Sequence, residues 1–409
     1  MKIFLASIGS TGDIQPFLIL GDFLSKKGHH VRVSSAEMYT KLATNYEVDY
    51  VPFAGNYAAI IDDDKMKELV GKNPFTIGKQ LKTHVYPILE NSLDTFLEGA
   101  KWADVIIYHP KTLIDTFGYL FPKKLMKAYV VPAFTTTSAF PSPLLYFLPF
   151  PKFLNKWTYK ITNALINTVK TPVNNFKQKH KLKKTSGLMK TPMIYGISEA
   201  FLNRPNDYPN DHYFTGFWFD TNRSFGNLSE AVSTFCESNK KTVVITFGSM
   251  PYQSKYNINE FVKAIRQMVD VRVLIVRGWG LKDTAIQNSD DVMAVDKAPY
   301  GELFEKVDAI VHHGGAGTTA LVLKSGKPQM ICPVLHPVGD QYFWGKQTVE
   351  KEVGIEPIPL KQLKPEQLAK SVKVLVTKDF NDNLAVIKNK IMYENALEKV
   401  NDIIEKHFK

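Results

Sequence analysis

Short apolar runs alternate with amphipathic, helix-like segments along both halves of the chain. The runs that predict strands are residues 2–7, 30–34, 104–108 and 128–131 in the first half, and residues 242–246, 271–276, 292–295, 309–312 and 329–332 in the second. A helical pattern over residues 14–27 follows the first run and ends at Gly28. This alternation is typical of an α/β protein in which helices cover parallel sheets, and two such sheets are expected.

The length of the chain also favours two domains. A chain of 409 residues is long for a single core and fits two domains of about 150 to 200 residues each. Residues 203–227 are rich in Pro, Asn, Asp and Gly and predict the crossing between the domains. We expect a first domain over residues 1–215, a linker over 216–240, a second domain over 241–383, and a C-terminal helical segment over 384–409 that packs back on the first domain.

Several classes of protein are excluded by composition. The most apolar stretch, residues 140–154, contains four prolines and is shorter than the roughly 18 to 20 apolar residues of a membrane-spanning helix. The N-terminal residues lack the full pattern of a signal peptide, so a cytoplasmic location is expected, with peripheral membrane binding as an open alternative. Two cysteines, Cys236 and Cys332, predict neither a disulfide framework nor a thiolate metal site.

Positive charge is concentrated in one segment of the first domain. Ten lysines and no acidic residue occur there: Lys152, Lys156, Lys160, Lys170, Lys177, Lys179, Lys181, Lys183, Lys184 and Lys190. Apolar and aromatic residues precede them, including Phe134 and Phe140. Together these features predict docking on an anionic membrane surface. Alternatively, the aromatic residues line a buried pocket and the lysines form solvated helix faces. Nucleic-acid binding is a weaker interpretation, because no nucleic-acid motif accompanies the charge.

The strongest local signal is a glycine-rich turn that follows the apolar run ending at Val311. Gly314, Gly315 and Gly317 predict a tight turn, and Thr318 begins a helical pattern that ends at Gly326. Free backbone N–H groups at a helix start can hold a diphosphate, and glycines let the phosphates approach closely. His312, at the end of the strand, is expected to add a hydrogen bond to a phosphate oxygen. A helix-capping turn without a ligand is the alternative.

One βαβ step further along the chain, Asp340 and Gln341 follow the next predicted strand. A neighbouring carboxylate and amide can bind several sugar hydroxyls, whereas on its own the pair would fit a helix cap. Its place beside the glycine-rich turn favours the sugar-binding role.

The residues 312–319, 339–341 and 343–345 together resemble the donor-sugar signature of family 1 glycosyltransferases. They are most similar to the branch that contains sterol glucosyltransferases and glycopeptide-antibiotic glycosyltransferases. The similarity extends to residues 9–17, 215–219 and 246–250, in the same order along the chain. The resemblance implies a GT-B fold of two facing Rossmann-like domains, with the nucleotide sugar in the second and the acceptor in the first. It also implies inverting transfer that needs neither a metal nor a cofactor.

Carried over to this chain, the resemblance places Ser249 beside the diphosphate and makes Asp13 the base that deprotonates the acceptor. Asp13 opens the first helical segment, where an N-cap is the alternative role. His109, at the end of the strand over residues 104–108, is the second candidate base. Plant members stack the nucleobase on a Trp, but the matching stretch here is residues 296–300, so uridine and thymidine diphosphate donors both stay open. Residues 62–64 are three aspartates that predict a solvated loop rather than a metal site.

The sequence therefore predicts transfer of a hexose, with glucose from UDP-glucose as the expected donor, to a hydroxyl of a hydrophobic acceptor. A sterol, a lipid, or a polyketide or phenolic natural product fits the apolar first domain. A nucleotide-sugar epimerase of the same fold, or a non-catalytic protein that binds lipid or membrane, is the alternative.

Overall fold

The computed structural model describes residues 1–55, 86–133, 135–166, 170–183, 190–220, 227–248, 250, 252–278, 281, 284–337 and 339–409. Its strands form two sheets. The first contains β1 (Lys2–Ala6), β2 (His30–Ala36), β3 (Asp49–Phe53), β4 (Val105–Tyr108), β5 (Leu125–Tyr129), β6 (Met193–Tyr195) and β7 (His212–Phe214). The second contains β8 (Thr242–Thr246), β9 (Arg272–Val276), β10 (Val292–Val295), β11 (Ala309–His312), β12 (Gln329–Ile331) and β13 (Gly354–Ile355).

Both sheets are parallel throughout, and each is wound outward from its first strand. The spatial orders are β3-β2-β1-β4-β5-β6-β7 and β10-β9-β8-β11-β12-β13. The described helices are α1 (Thr11–Lys26), α2 (Thr40–Ala43), α3 (Tyr86–Trp102), α4 (Asn155–Ile166), α5 (Lys170–Lys179), α6 (Glu230–Cys236), α7 (Ile258–Met268), α8 (Tyr300–Leu303), α9 (Ala316–Ser325), α10 (Gln341–Glu350), α11 (Pro365–Thr377), α12 (Asn381–Met392) and α13 (Ala396–Phe408). In such sheets, ligands bind outside the carboxyl ends of the strands where the winding direction changes. In these two sheets those points lie after β1 and β4, and after β8 and β11.

The strands at the centres of both sheets were predicted from their apolar runs, whereas four strands nearer the edges were not. These are β3, β6, β7 and β13, which are short or interrupted by polar residues, and β3 contains Pro52. Proline is tolerated on an edge strand because it lacks the N–H that an inner strand would donate. The fifth strand also begins at Leu125 rather than at residue 128.

The region expected to link the domains contains regular structure. β7 lies within residues 203–227, and α6 lies within residues 216–240. Val232 and Phe235 of α6 pack into a core with Val244 and Leu274 of the second sheet. The Ser229 side chain accepts a hydrogen bond from the Val232 N–H, an N-cap signal that the composition of the segment concealed.

The C-terminal segment forms two helices that belong to different cores. Leu384 and Ile387 of α12 pack with the second sheet. Val400 and Ile404 of α13 pack into the core of the first sheet, where Lys27 forms an ion pair with Glu398 at 2.7 Å. Among the described residues, no helix is long and apolar enough to cross a membrane.

Aromatic contacts join the two domains. They lie beside the space between the carboxyl ends of the two sheets, which we call the cleft. Phe140 and Tyr146 of the first domain pack on Phe343 of α10, with ring centroids 5.4 and 5.1 Å apart. Phe147 packs edge-on against His336 at 5.7 Å. These contacts hold the carboxyl ends of the two sheets toward one another, so residues of the two domains can reach the same space.

Candidate active site

Asp13 lies in the first turn of α1, directly after β1. The helix begins at Thr11, three residues earlier than predicted, and its N-cap is Ser10 rather than Asp13. Asp13 Oδ2 accepts hydrogen bonds from the Ser10 backbone N–H at 2.9 Å and from the Ser10 hydroxyl at 3.1 Å. The carboxylate is therefore fixed by its own helix start and remains 14% exposed, facing the cleft.

The second oxygen of Asp13 is bound by a residue that sequence reasoning missed. Lys111 Nζ donates to Asp13 Oδ1 at 2.6 Å. Burial by itself raises the pKa of Asp13, but the positive charge and hydrogen bond of Lys111 outweigh it, and the pKa is lowered overall. Lys111 follows β4, the neighbour of β1 in the sheet. A charged residue just after a buried strand is the signal that would have marked it.

The pKa of Lys111 is affected both by Asp13 and by Asp340 of the second domain. Burial lowers the pKa of Lys111, but the charges of Asp13 and Asp340 outweigh it and raise the pKa overall. Burial raises the pKa of Asp340, with Lys111 and the Trp344 indole N–H acting in the opposite direction. Asp340 is the N-cap residue of α10, and its Oδ2 accepts from Trp344 Nε1 at 3.0 Å. The Lys111 ammonium is therefore ion-paired with Asp13 and also attracted by the charge of Asp340 in the second domain.

His109, the second candidate base, is built into the loop after β4. Its Nδ1 accepts from the Lys111 backbone N–H at 3.1 Å, and its ring packs edge-on against Tyr129 at 5.7 Å. Burial lowers the pKa of His109 to about 3, so the ring is neutral at pH 7. This geometry favours a structural role in holding the Lys111 loop.

The glycine-rich turn has the predicted strand–turn–helix geometry. β11 ends at His312, Gly315 is the N-cap of α9, and Gly326 closes the helix with φ 70°. At Gly314, φ is 87° and a Cβ would collide with Ile331, so glycine is required there. A Cβ built on Gly317 has no described atom within 4 Å. The first backbone N–H groups of α9, up to that of Thr318, have no acceptor within the helix and are therefore available at the sheet edge.

His312, which was predicted to bind a phosphate, is hydrogen-bonded within the protein, and its phosphate contact stays a prediction. His312 is fully buried, its Nε2 lies 2.8 Å from Gln329 Oε1, and its Nδ1 accepts from the Gly314 N–H at 3.1 Å. Burial lowers its pKa to about 4. Both ring nitrogens are engaged within the protein, so His312 holds the turn in place, and a contact with phosphate would require one of these hydrogen bonds to be exchanged.

The neighbouring His313 has the geometry that was expected of His312. Its ring lies between Gly248, at the end of β8, and Gly315, where a Cβ would come within 3.1 Å and 2.6 Å of ring atoms respectively. The side chain is 8% exposed, and its buried Nδ1 has no hydrogen-bond partner among the described residues. Burial lowers its pKa to about 3, so the ring is a neutral donor or acceptor. The sequence pair of histidines did not reveal which one faces the helix start.

Gln341, predicted to bind the donor sugar, also fixes the loop after β12. It is buried, and its Oε1 accepts from the backbone N–H groups of Val334 and Leu335 at 2.7 and 2.9 Å. That oxygen fixes the loop after β12 and is not available to a sugar hydroxyl. These hydrogen bonds engage only the oxygen of Gln341, so its contact with the sugar, like that of Asp340, stays a prediction.

Other predicted positions fall into two groups. Phe140 is buried against Phe343 in the contact between domains, so it borders the cleft from the acceptor side. Phe134, Ser249 and the aspartates at residues 62–64 lie outside the described residues.

Two family models match the chain. The C-terminal domain of erythromycin biosynthesis protein CIII-like proteins matches residues 264–402, and the glycosyltransferase family 28 N-terminal domain matches residues 3–100. A sterol 3-beta-glucosyltransferase of Arabidopsis thaliana is 27% identical over 100% of this chain and 68% of its own length. A sterol 3-beta-glucosyltransferase of Saccharomyces cerevisiae is 26% identical over 97% of this chain. The chain spans only 34% of the length of that yeast relative.

Solved structures with the same fold cover nearly the whole chain. The glycosyltransferase of kitacinnamycin superposes with a TM-score of 0.74 at 13% identity, covering 99% of this chain and 98% of that chain. The glycosyltransferase VinC in complex with DTDP has a TM-score of 0.66 at 16% identity, covering 100% of this chain and 99% of that chain.

Two parallel Rossmann-like sheets whose carboxyl ends share a cleft define the GT-B class of protein. The chain belongs to the GT-B glycosyltransferases and is distantly related to the sterol 3-beta-glucosyltransferases and the antibiotic glycosyltransferases.

Proposed function

We propose that the protein transfers a hexose, glucose from UDP-glucose, to a hydroxyl of a hydrophobic acceptor such as a sterol, a lipid, or a polyketide or phenolic compound. One observation carries the proposal: Lys111, which is ion-paired with Asp13 of the first domain, lies close enough to Asp340 of the second for their charges to act on each other. A base from one domain and a sugar-binding carboxylate from the other are then adjacent, as a transfer between two bound substrates requires.

The chemistry follows from these positions. Asp13, ionised because Lys111 lowers its pKa, takes the proton of the acceptor hydroxyl. The acceptor oxygen forms a bond to the anomeric carbon from the face opposite the diphosphate, and the bond from that carbon to the diphosphate oxygen breaks. The electron pair leaves with the nucleoside diphosphate. The transfer inverts the configuration of the anomeric carbon.

The leaving diphosphate is bound by the start of α9 and by His313. The free N–H groups at residues 316–318 and the positive end of the helix dipole stabilise charge as it develops on the leaving group. His313 supplies the nearby unpartnered ring nitrogen. Asp340 accepts hydrogen bonds from the hydroxyls of the sugar.

Two features of the relatives bear on the substrates. The sterol 3-beta-glucosyltransferases support a sterol or another apolar alcohol as acceptor and glucose as the sugar. Thymidine diphosphate sugars are the second donor candidate, because VinC, a protein of the same fold, was solved with DTDP.

The test measures release of nucleoside diphosphate from UDP-glucose and from thymidine diphosphate glucose, with and without a mixture of sterols, phenolics and membrane lipids. We expect release that depends on an acceptor and that falls at least about 100-fold in Asp13→Asn. The matched control is Asp49→Asn, which removes a carboxylate of β3 in the first domain that forms an ion pair with Arg32. Conversion of the donor without acceptor would identify an epimerase instead. Absence of binding and turnover with both donors would refute the proposal in favour of a non-catalytic protein.

A further inference from the structure

An exposed aromatic surface lies at the start of α4 and in the turn before it. Phe153 is 83% exposed, Trp157 is 49% exposed and Leu148 is 40% exposed. Phe150 packs edge-on against Trp157 at 6.4 Å. We call the leucine and the three aromatic residues together the aromatic patch: Leu148, Phe150, Phe153 and Trp157. Single exposed apolar residues are common on protein surfaces, but several large ones within ten residues of the chain, two of them in contact, indicate a contact surface.

Three exposed lysines lie among the aromatic residues. Lys152, Lys156 and Lys160 are spaced four residues apart and therefore follow the same outward side of the turn and helix. Lys156 forms an ion pair with Asp207 at 3.2 Å. In the part of the chain that the structure describes, Lys152 and Lys160 form no ion pair. The opposite side of α4 is buried through Thr158, Tyr159 and Thr162.

The patch follows directly in sequence on the residues that contact the second domain. Tyr146 and Phe147 pack on Phe343 and His336 of the second domain, and the patch begins at the next residue, Leu148. α10, which carries Phe343, is the helix that Asp340 caps. A surface seated on the patch would therefore lie beside the entrance to the site that holds Asp13 and Asp340.

We propose that the aromatic patch and Lys152, Lys156 and Lys160 dock the protein on an anionic lipid bilayer, and that the apolar acceptor enters the cleft from that bilayer. The alternation of aromatic and cationic side chains favours this partner. Aromatic rings insert at the boundary between headgroups and acyl chains, while lysines bind anionic headgroups with their stems along the apolar surface. The inference that the protein docks on a bilayer depends only on the residues of this surface. The delivery of acceptor rests on the proposed function.

The first test is sedimentation of the protein with vesicles of phosphatidylcholine, and with vesicles of equal parts phosphatidylcholine and phosphatidylglycerol. We expect strong binding to the anionic vesicles only. The combined variant Lys152→Gln, Lys156→Gln, Lys160→Gln should weaken that binding by about 100-fold, since each lysine near a charged surface contributes about fivefold. The combined variant Phe153→Ser, Trp157→Ser should weaken it at all salt concentrations.

The controls alter equally exposed residues elsewhere. Tyr393→Ser replaces an aromatic residue that is 82% exposed, and Lys361→Gln, Lys370→Gln, Lys373→Gln removes three exposed lysines of the second domain. Both should bind anionic vesicles as the native protein does. Equal binding of the two vesicle types, no binding, or the same loss in the control variants would overturn the docking.

Nucleoside diphosphate release with a water-soluble acceptor separates this inference from the proposed function. The patch variants should keep that activity while losing the activity toward acceptor embedded in vesicles. If the native protein releases nucleoside diphosphate but does not bind vesicles, the docking is wrong and the transferase function stands. If it binds vesicles without turnover of any donor, the docking stands alone.

Discussion

Replacing Lys111 with methionine should move the acid limb of the activity profile to higher pH. In the native protein, Lys111 Nζ lies 2.6 Å from Asp13 Oδ1 and outweighs the effect of burial on the Asp13 pKa. In Lys111→Met, the charge and hydrogen bond of Lys111 are lost while burial and the hydrogen bonds from Ser10 remain, so the Asp13 pKa is higher than in the native protein. Asp13 is then protonated over a range of pH in which the native residue is ionised, and a protonated carboxylic acid cannot accept the proton of the acceptor.

The size of the shift follows from the exposure of the pair. Two unit charges about 4 Å apart interact by about 1 kcal/mol in water and by about 4 kcal/mol at an effective dielectric constant of about 20. Lys111 is 41% exposed, so solvent screens the pair and the lower part of this range applies. An interaction of about 1.4 kcal/mol corresponds to a shift of about one pKa unit. The hydrogen bonds from Ser10 keep the carboxylate in place after the substitution.

The assay is kcat/KM for acceptor-dependent release of nucleoside diphosphate, measured across pH with circular dichroism as a check on folding. We expect the acid limb of Lys111→Met about one pH unit above that of the native protein. Activity well above the limb should be retained, because a carboxylate of higher pKa is the stronger base. Lys111→Arg keeps the positive charge and should restore the native limb. An unchanged limb in Lys111→Met, or a shifted limb in Lys111→Arg, would refute the electrostatic role.

Two further predictions compare neighbouring residues of the glycine-rich turn. Gly314→Ala should lose folding or donor binding, because the new Cβ collides with Ile331 at a positive φ, whereas Gly317→Ala should keep its stability. Thermal unfolding measures stability, and isothermal titration with UDP measures donor binding. Equal behaviour of the two variants would contradict the geometry. His313→Ala should weaken UDP binding by about 10-fold or more with little change in stability. His312→Ala should lower the free energy of unfolding by about 2 kcal/mol or more, because the Gly314 N–H and Gln329 lose a buried hydrogen-bond partner. Urea unfolding and UDP titration of both variants decide between these roles, and the reverse pattern would return the phosphate contact to His312.

The fold was largely predictable because buried parallel strands are marked by continuous apolar runs. β8, β10 and β11 have the predicted bounds, since each is an apolar run bordered by polar or turn residues; β8 and β11 lie inside the second sheet and β10 lies at its edge. β7 and β13 were not predicted, because two- or three-residue edge strands depend on pairing with a neighbour already in place. The helix α6 was missed for a related reason: its apolar residues matter only when the second sheet is present to cover them.

The sequence by itself determined the class of site: a glycine-rich turn between a buried strand and a helix, followed by a carboxylate one unit later. Local chain chemistry suffices there, because the positive φ at Gly314 by itself favours glycine, and a strand that leads into a helix start leaves free N–H groups. Only the tertiary structure decided which side chains face the cleft. His312 and His313 are adjacent in sequence, but one points to Gln329 in the core and the other toward the start of α9. Lys111 meets Asp13 only because β4 pairs with β1, so that residues 98 positions apart share one edge of the sheet. Hydrogen-bond partners and charge neighbours are set by strand order and by the docking of the two domains, and neither is encoded in a local run of residues.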